Sequence, residues 1–185
     1  MSLTVEDIVG LFTTRGQTQY GREAVNQLEH ALQCAQLAEQ AGETQETIVA
    51  ALLHDLGHLL AAERAAQQDD PQDGDDLHQY IALPFLRGML SEAVLAPVRL
   101  HVAAKRYLCA VEPGYWDRLS PASTRSLALQ GGAFDDSEAQ AFAALPYATE
   151  AIRLRRYDDQ AKVPGLPVPD IAHYTVMLEA VARGG

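Results

Sequence analysis

Apolar residues recur at three- and four-residue intervals along most of this chain, a pattern that predicts a succession of helices. Val5, Ile8, Val9 and Phe12 give a short first helix over Thr4 to Phe12. After a polar break at 13–18, a stretch rich in Ala, Leu, Gln and Glu predicts a long helix from about Arg22 to Gln40. Its apolar face carries Val25, Leu28, Leu32 and Ala35. If this helix begins early enough, Tyr20, Glu23, Gln27 and His30 form one polar stripe. Gly42 closes it, and Thr44 to Glu46 opens a helix that runs through Ala61. Further helices are predicted from about Leu77 to Leu90 and from Ser91 to about Leu108, the latter containing Pro97. Ser120 followed by Pro121 reads as a cap and first helical position for a helix through Leu129. Helices over Asp135 to Ala144 and Tyr147 to Asp158 follow, then an extended, proline-rich run over Val163 to Pro169 and a last helix over Asp170 to Arg183. With no repeat and no convincing strand pair, the expected fold is all-α.

The apolar run from Ala50 to Leu60 is interrupted by His54, Asp55 and His58. On one helix, His54 and His58 would share a face with Asp55 beside them. Burying such groups without partners costs roughly 1–3 kcal/mol each. Ordinary hydrogen bonding in the core would meet that cost, and so would a bound metal. His30, His78, His101 and Asp158 lie on other predicted helices, and a bundle can direct such residues into one pocket. Six nitrogen and oxygen ligands without a thiolate suit iron, manganese or zinc. A carboxylate such as Asp55 can bridge two ions, which sit roughly 3.5–4 Å apart in two-metal sites. Lys105 lies four residues after His101 and so on the same helical face. His173 has no ligand spacing and reads as structural.

The length of 185 residues fits one domain spanning 1–185. A net charge of −11 argues against nucleic acid as a partner, because duplex binding needs a basic patch. Much of the acid lies in Asp69, Asp70, Asp73, Asp75 and Asp76, which read as a solvated loop. No apolar stretch approaches a membrane span and the first residues lack a basic leader, so a cytoplasmic protein without a membrane partner is expected, as a monomer or small homo-oligomer. Cys34 and Cys109 form no disulfide framework and read as buried free thiols.

A His, an adjacent His-Asp pair and a distal Asp, here His30, His54 with Asp55, and Asp158, resemble the signature of the HD-domain superfamily. The additional His78 and His101 resemble its dinuclear branch. Four segments are similar to the organophosphonate-cleaving diiron oxygenases of the PhnZ type: Tyr20-Gly-Arg-Glu23-Ala-Val-Asn-Gln-Leu-Glu-His30, Ala50-Ala-Leu-Leu-His-Asp-Leu-Gly-His58, His101-Val-Ala-Ala-Lys-Arg-Tyr-Leu108 and Leu129-Gln-Gly-Gly132. The resemblance implies an HD-domain helical bundle and two iron ions as Fe(II)/Fe(III). His30, His54, Asp55 and Asp158 would hold one ion, and Asp55, His78 and His101 the other. It further implies that Tyr20 guards the open metal position, that Glu23 faces a substrate ammonium, and that His58 and Lys105 hold the phosphonate. Ser123, Ser126 and Gln130 would lie nearby. The implied reaction uses O2 to cleave the carbon–phosphorus bond of a 1-hydroxyphosphonate, giving phosphate and a carboxylic acid. The stretch Ala110-Val-Glu-Pro113 and the acidic loop depart from the family pattern.

Two other functions fit parts of the same pattern. A dinuclear phosphohydrolase would use a metal-bound hydroxide on a phosphate ester or nucleotide. It has no need of a redox-guarding phenol at Tyr20. A non-catalytic metal or ligand sensor would need a partner motif, and the sequence offers none.

Overall fold

The computed structural model describes residues 2–68 and 77–183, so the acidic stretch at 69–76 lies outside the described residues. Among these residues the architecture is helical, with one isolated antiparallel bridge between Gln19 and Asn26 and no named strand. In chain order the helices are α1 (Val5–Arg15), α2 (Gln27–Gln40), α3 (Gln45–Leu53), α4 (Leu56–Gln68), α5 (His78–Ile81), α6 (Leu83–Leu86), α7 (Glu92–Val111), α8 (Tyr115–Arg118), α9 (Pro121–Leu129), α10 (Asp136–Ala143), α11 (Ala148–Gln160) and α12 (Ile171–Arg183).

Caps set several of these boundaries. Thr4, Asn26 and Asp135 each accept the backbone N–H three residues on, and the acid at that third position returns a bond to the cap's own N–H. The Asn26 box explains one departure from the sequence pattern. It starts α2 at Gln27, leaving residues 20–26 as turns, so Tyr20 and Glu23 are not on the stripe that carries His30. The predicted helix through Ala61 is likewise two helices, with α3 ending at Leu53, α4 beginning at Leu56, and His54 and Asp55 at the junction. The predicted helix over Leu77 to Leu90 divides into α5 and α6. Pro97 lies inside α7, where its fixed backbone angle is tolerated at the cost of one N–H.

Helix α3 is buried on all sides from Thr47 to Leu53 and packs against α2, α7, α11 and α12. Leu52, Leu53, Leu56, Leu86, Leu154, Tyr174 and Leu178 anchor the core around it. Truncating one such leucine to alanine costs about 2–5 kcal/mol. A smaller apolar cluster of Ala104, Phe142, Ala148 and Ala151 joins α7, α10 and α11. Cys34 is buried as expected, while Cys109 is only half-buried; both are free thiols. No helix among the described residues is long and apolar enough to cross a membrane.

Candidate metal centre and adjoining pocket

The break between α3 and α4 puts the Asp55 carboxylate among four imidazoles from four helical segments. Oδ2 lies 3.6 Å from His30 Nε2 and 3.3 Å from His54 Nε2. Oδ1 lies 3.0 Å from His78 Nε2 and 3.5 Å from His101 Nε2. Each oxygen therefore faces its own pair of imidazoles. Asp158, from the last turn of α11, closes the first group, with Oδ1 3.5 Å from His30 Nε2 and Oδ2 4.0 Å from His54 Nε2.

Backbone carbonyls orient three of these rings. His54 Nδ1 meets Ala51 O at 2.8 Å and His101 Nδ1 meets Val98 O at 2.7 Å, each three residues back on the chain. His30 Nδ1 meets Ala161 O at 2.8 Å, beyond the end of α11. A carbonyl only accepts, so each Nδ1 carries the proton in these contacts and Nε2 presents a lone pair to the centre. The His30 and His54 nitrogens nevertheless approach one another at 3.3 Å, and His101 Nε2 lies 2.9 Å from His78 Nε2. Two lone pairs at that separation repel unless a proton or cation lies between them. Asp55 Oδ2 and Asp158 Oδ1 are buried and accept no hydrogen bond. Converging lone pairs and unsatisfied buried carboxylate oxygens are the donor set a metal ion requires, so these residues fit metal binding.

The electrostatics agree. Burial pushes His30 down to about 4. Burial, reinforced by His78 and His54, holds His101 well below the usual imidazole value. At His54 burial also disfavours the cation, but Asp55 and Asp158 together more than offset it and raise the pKa. Burial works against the Asp55 carboxylate as well, yet His54 and His78 hold it well below the ordinary range. Asp158 is lowered against the same burial, chiefly by Arg155. Arg155 donates to Asp158 Oδ2 at 2.7 Å and also bonds Asp159, which decides between the two adjacent acids: Asp158 faces the histidines, while Asp159 pairs with Arg155 and Tyr115.

Beside this cluster opens a cavity of about 210 Å³. Tyr20, Glu23, Asp55, His58, His78, His101, Lys105, Ser123, Ser126, Gln130 and Asp158 reach it, so the structure gathers these sequence-predicted residues at one place, with His30 and His54 behind them. Tyr20 stacks on His30, the ring centroids 3.9 Å apart and the planes 12° from parallel. Burial, with the charges of Asp158 and Asp55, pushes its phenol well above the usual value and keeps it protonated. His54 and His58 do not lie on one continuous helix, because the helix breaks between them, and His58 stacks on His78 at 4.1 Å. Gly57 makes that contact possible, since a Cβ there would lie 2.0 Å from the His78 carbonyl oxygen. Lys105, though buried, donates to Ser126 Oγ at 2.7 Å. His173 is remote from the cavity and pairs with Glu39 on the surface.

Two pocket residues, Lys162 and Arg155, and their neighbour Ser120 escaped the sequence pattern. Lys162 bonds Glu23 at 3.0 Å, Ser120 donates to Glu23 at 2.5 Å, and Arg155 supports Asp158. Scarcity was the available signal for Lys162, one of two lysines in the chain. For Arg155 it was a cation three residues before an acid on a helix. Cys34 also stands near the cluster, its sulfur 3.7 Å from His30 Nε2.

The HD-domain family model matches residues 28–120, a stretch that holds His30, His54, Asp55, His78 and His101 but ends before Asp158. The chain is 44% identical over 176 residues to the hydroxymethylphosphonate dioxygenase of Gimesia maris, covering 95% of this chain and 87% of that protein. It is 41% identical over 175 residues to the [1-hydroxy-2-(trimethylamino)ethyl]phosphonate dioxygenase (glycine-betaine-forming) of Leisingera caerulea, covering 95% and 88%. These matches run through the loop that carries Tyr20 and the helix that carries Asp158, well beyond the family model itself. The chain thus belongs to the HD-domain family, in the branch of metal-dependent oxygenases that includes these two phosphonate dioxygenases.

Proposed function

We propose that this chain is a diiron oxygenase that cleaves the carbon–phosphorus bond of a small 1-hydroxyphosphonate with O2, releasing phosphate and a carboxylic acid. The observation that carries this reading is the division of Asp55, one oxygen toward His30 and His54 and the other toward His78 and His101. In it, His30, His54, Asp55 and Asp158 would hold one iron, and Asp55, His78 and His101 would hold the second. When bound, the Fe(II)/Fe(III) pair supplies the redox chemistry that O2 activation requires. Residues 1–185 act as one domain, since Tyr20 and Asp158 complete a site whose other ligands lie within 28–120.

The side chains around the cluster have separate tasks. Lys105 and His58 seat the phosphonate, a point charge and an imidazole being suited to a dianion, while Ser123, Ser126 and Gln130 give it hydrogen-bonding partners. With the phosphonate there, the hydroxyl-bearing carbon lies between that wall and the cluster. Glu23 faces the opposite end of the substrate. Tyr20, protonated and packed on His30, shields the cluster from solvent and oxygen until a substrate displaces it.

The test is aerobic incubation of the iron-loaded protein with hydroxymethylphosphonate, 1-hydroxy-2-aminoethylphosphonate and its N-methylated relatives, following phosphate release and oxygen uptake together. The expected result is one O2 consumed per phosphate. Phosphate released from nucleotides or phosphate esters without oxygen uptake would replace this reading with that of a hydrolase.

A further inference from the structure

Lys162 lies just beyond α11 and lines the cavity. Its ammonium donates to Glu23 Oε1 at 3.0 Å, Ser123 Oγ at 3.1 Å and Ser120 Oγ at 3.4 Å, so its three protons have three partners. Glu23 in turn accepts from Ser120 Oγ at 2.5 Å. A carboxylate otherwise suited to a substrate ammonium thus already has a cation of the protein's own.

Glu23 and Tyr20 belong to one tight loop. The bridge between Gln19 and Asn26 closes it. Within it, Glu23 N donates to Tyr20 O at 2.9 Å and Tyr20 N donates to Val25 O at 3.0 Å, while the Gln19 side chain holds Glu23 O at 3.1 Å. Movement of Glu23 is passed to Tyr20 through these backbone contacts. Lys162 and Ser120 therefore tie the Glu23 end of this loop to the opposite wall, while the Tyr20 end is held by Asp55 and by stacking on His30.

The same ammonium touches a second anion seat. Ser123 also receives Arg155 Nη2 at 3.4 Å, and Ser126, three residues on, receives Lys105 at 2.7 Å. An anion against this wall would meet Lys105 and Lys162 together. The side chains of Glu23 and Lys162 retain 14% and 13% exposure, so the pair is mostly shielded from water and an anion entering the cavity meets the ammonium with little solvent between them. A phosphonate dianion offers Lys162 up to twice the charge of Glu23 and three acceptor oxygens in place of two.

We propose that Lys162 is an exchange latch: it pins Glu23 and the Tyr20 loop over the cluster until a phosphonate dianion at Ser123 and Ser126 draws its ammonium away and frees the loop. It follows that the phosphonate group, and not a substrate nitrogen, triggers opening, so that 1-hydroxyphosphonates without nitrogen are substrates. A cationic nitrogen is accepted afterwards, at the side of Glu23 that Lys162 has left. This rests on the proposed oxygenase function for its choice of substrate, and Lys162 is a positioning residue in it.

The experiment uses methylphosphonate, which carries the anion but neither the hydroxyl nor a nitrogen, with iron-loaded wild type, Lys162→Gln, Lys162→Arg, Glu23→Gln and the Glu23→Gln/Lys162→Gln double variant. Calorimetry should show Lys162→Gln binding about tenfold more weakly, the scale of one hydrogen bond from a charged group, and Lys162→Arg recovering most of that loss. Glu23→Gln should bind about threefold more tightly, because the competitor for the ammonium is gone. That gain should vanish in the double variant. Amide exchange across residues 20–25 should quicken when methylphosphonate binds wild type, and should already be fast in Lys162→Gln without it. Weaker binding by Glu23→Gln, additive effects in the double variant, or exchange that slows with ligand overturns the latch. Thermal unfolding midpoints show whether each variant is folded, and Lys162→Arg carries the exchange comparison if Lys162→Gln is not. If wild type consumes no O2 with any hydroxyphosphonate, the oxygenase reading fails, while the latch is still judged by binding and exchange.

Discussion

Within the cluster, His30, His54 and His101 are at most 1% exposed and each is tied to a backbone carbonyl, whereas across the cavity Glu23 and Lys162 hold one another by side chain alone. A carbonyl of buried backbone is held by the chain on either side of it, and Ala51, Val98 and Ala161 are all buried. A side-chain partner can be exchanged for another of like charge. In the function proposed above, the first arrangement would keep the cluster's geometry fixed through turnover, and the second would let the pocket respond to what enters it. The two walls also differ in origin: His30, His101 and Asp158 lie within helices and His54 and Asp55 at a buried helix junction, while Glu23, Ser120 and Lys162 come from less buried segments between helices.

The severest way to break the fixed wall is Asp55→Asn. It keeps the volume but leaves one neutral oxygen in place of two charged ones, so neither pair of imidazoles has its full complement. Expected are fewer than one iron per chain by elemental analysis and phosphate release reduced more than about a hundredfold, beyond what loss of a residue that merely supports a ligand costs. Two irons retained in this variant would remove the argument for a shared carboxylate. Arg155→Lys tests one such supporting residue. A lysine cannot serve Asp158, Asp159, Ser123 and Tyr115 together, as the guanidinium does. Metal affinity should fall about 10–100-fold, with the ion nearest Asp158 lost first in a chelator titration.

These two walls were not equally legible. The His54-Asp55 pair stands out because polar groups interrupt an apolar run, and histidines elsewhere in an acidic, thiol-poor chain completed the set. The helix break between His54 and His58 was hidden, because the apolar residues on either side keep helical spacing across it and no Pro marks the boundary. The Asn26 capping box was present in the sequence as Asn26 followed three residues later by Glu29, but the helix-forming run before it masked the start. Lys162 could not be placed by periodicity at all. It lies outside any helix, and its partner Glu23 is 139 positions away.

Acidification attacks the fixed wall through its protons. His30 has a folded pKa near 4, set mainly by burial, against an unfolded value near 6.5. Between these values the unfolded chain binds a proton that the native ring does not, so stability falls as pH drops from about 6.5 to 4. The window is worth roughly 3 kcal/mol for His30 in metal-free protein, from 1.36 kcal/mol per unit. His101, also lowered, acts in the same direction, and the lowered Asp55 and Asp158 carboxyls add to it at the acid end. His54 is raised and gives its opposing contribution above this window. Urea unfolding at a series of pH values should show that slope, and His30→Gln should flatten it. A smaller effect is expected of Gly57→Ala. Its Cβ meets backbone at His78, which cannot swing aside as a side chain would. A cost of about 1–3 kcal/mol, read as a lower midpoint in urea, should come with weakened metal binding on the His78 side.

His173→Asn sharpens the comparison from the opposite end. Like His30 it is a histidine beside a carboxylate, its Nε2 2.9 Å from Glu39 Oε1. Unlike His30, it is 42% exposed at the side chain, and Glu39 is 32% exposed. Water already solvates both partners, so little desolvation is at stake and salt screens what attraction there is. The expected change in stability is under about 0.5 kcal/mol, fading further in added salt, with iron content and phosphate release at wild-type levels. If His173→Asn instead lowered iron content, a histidine–carboxylate pair would matter here irrespective of burial. The distinction between carbonyl-anchored ligands and exchangeable surface pairs would then lose its physical basis.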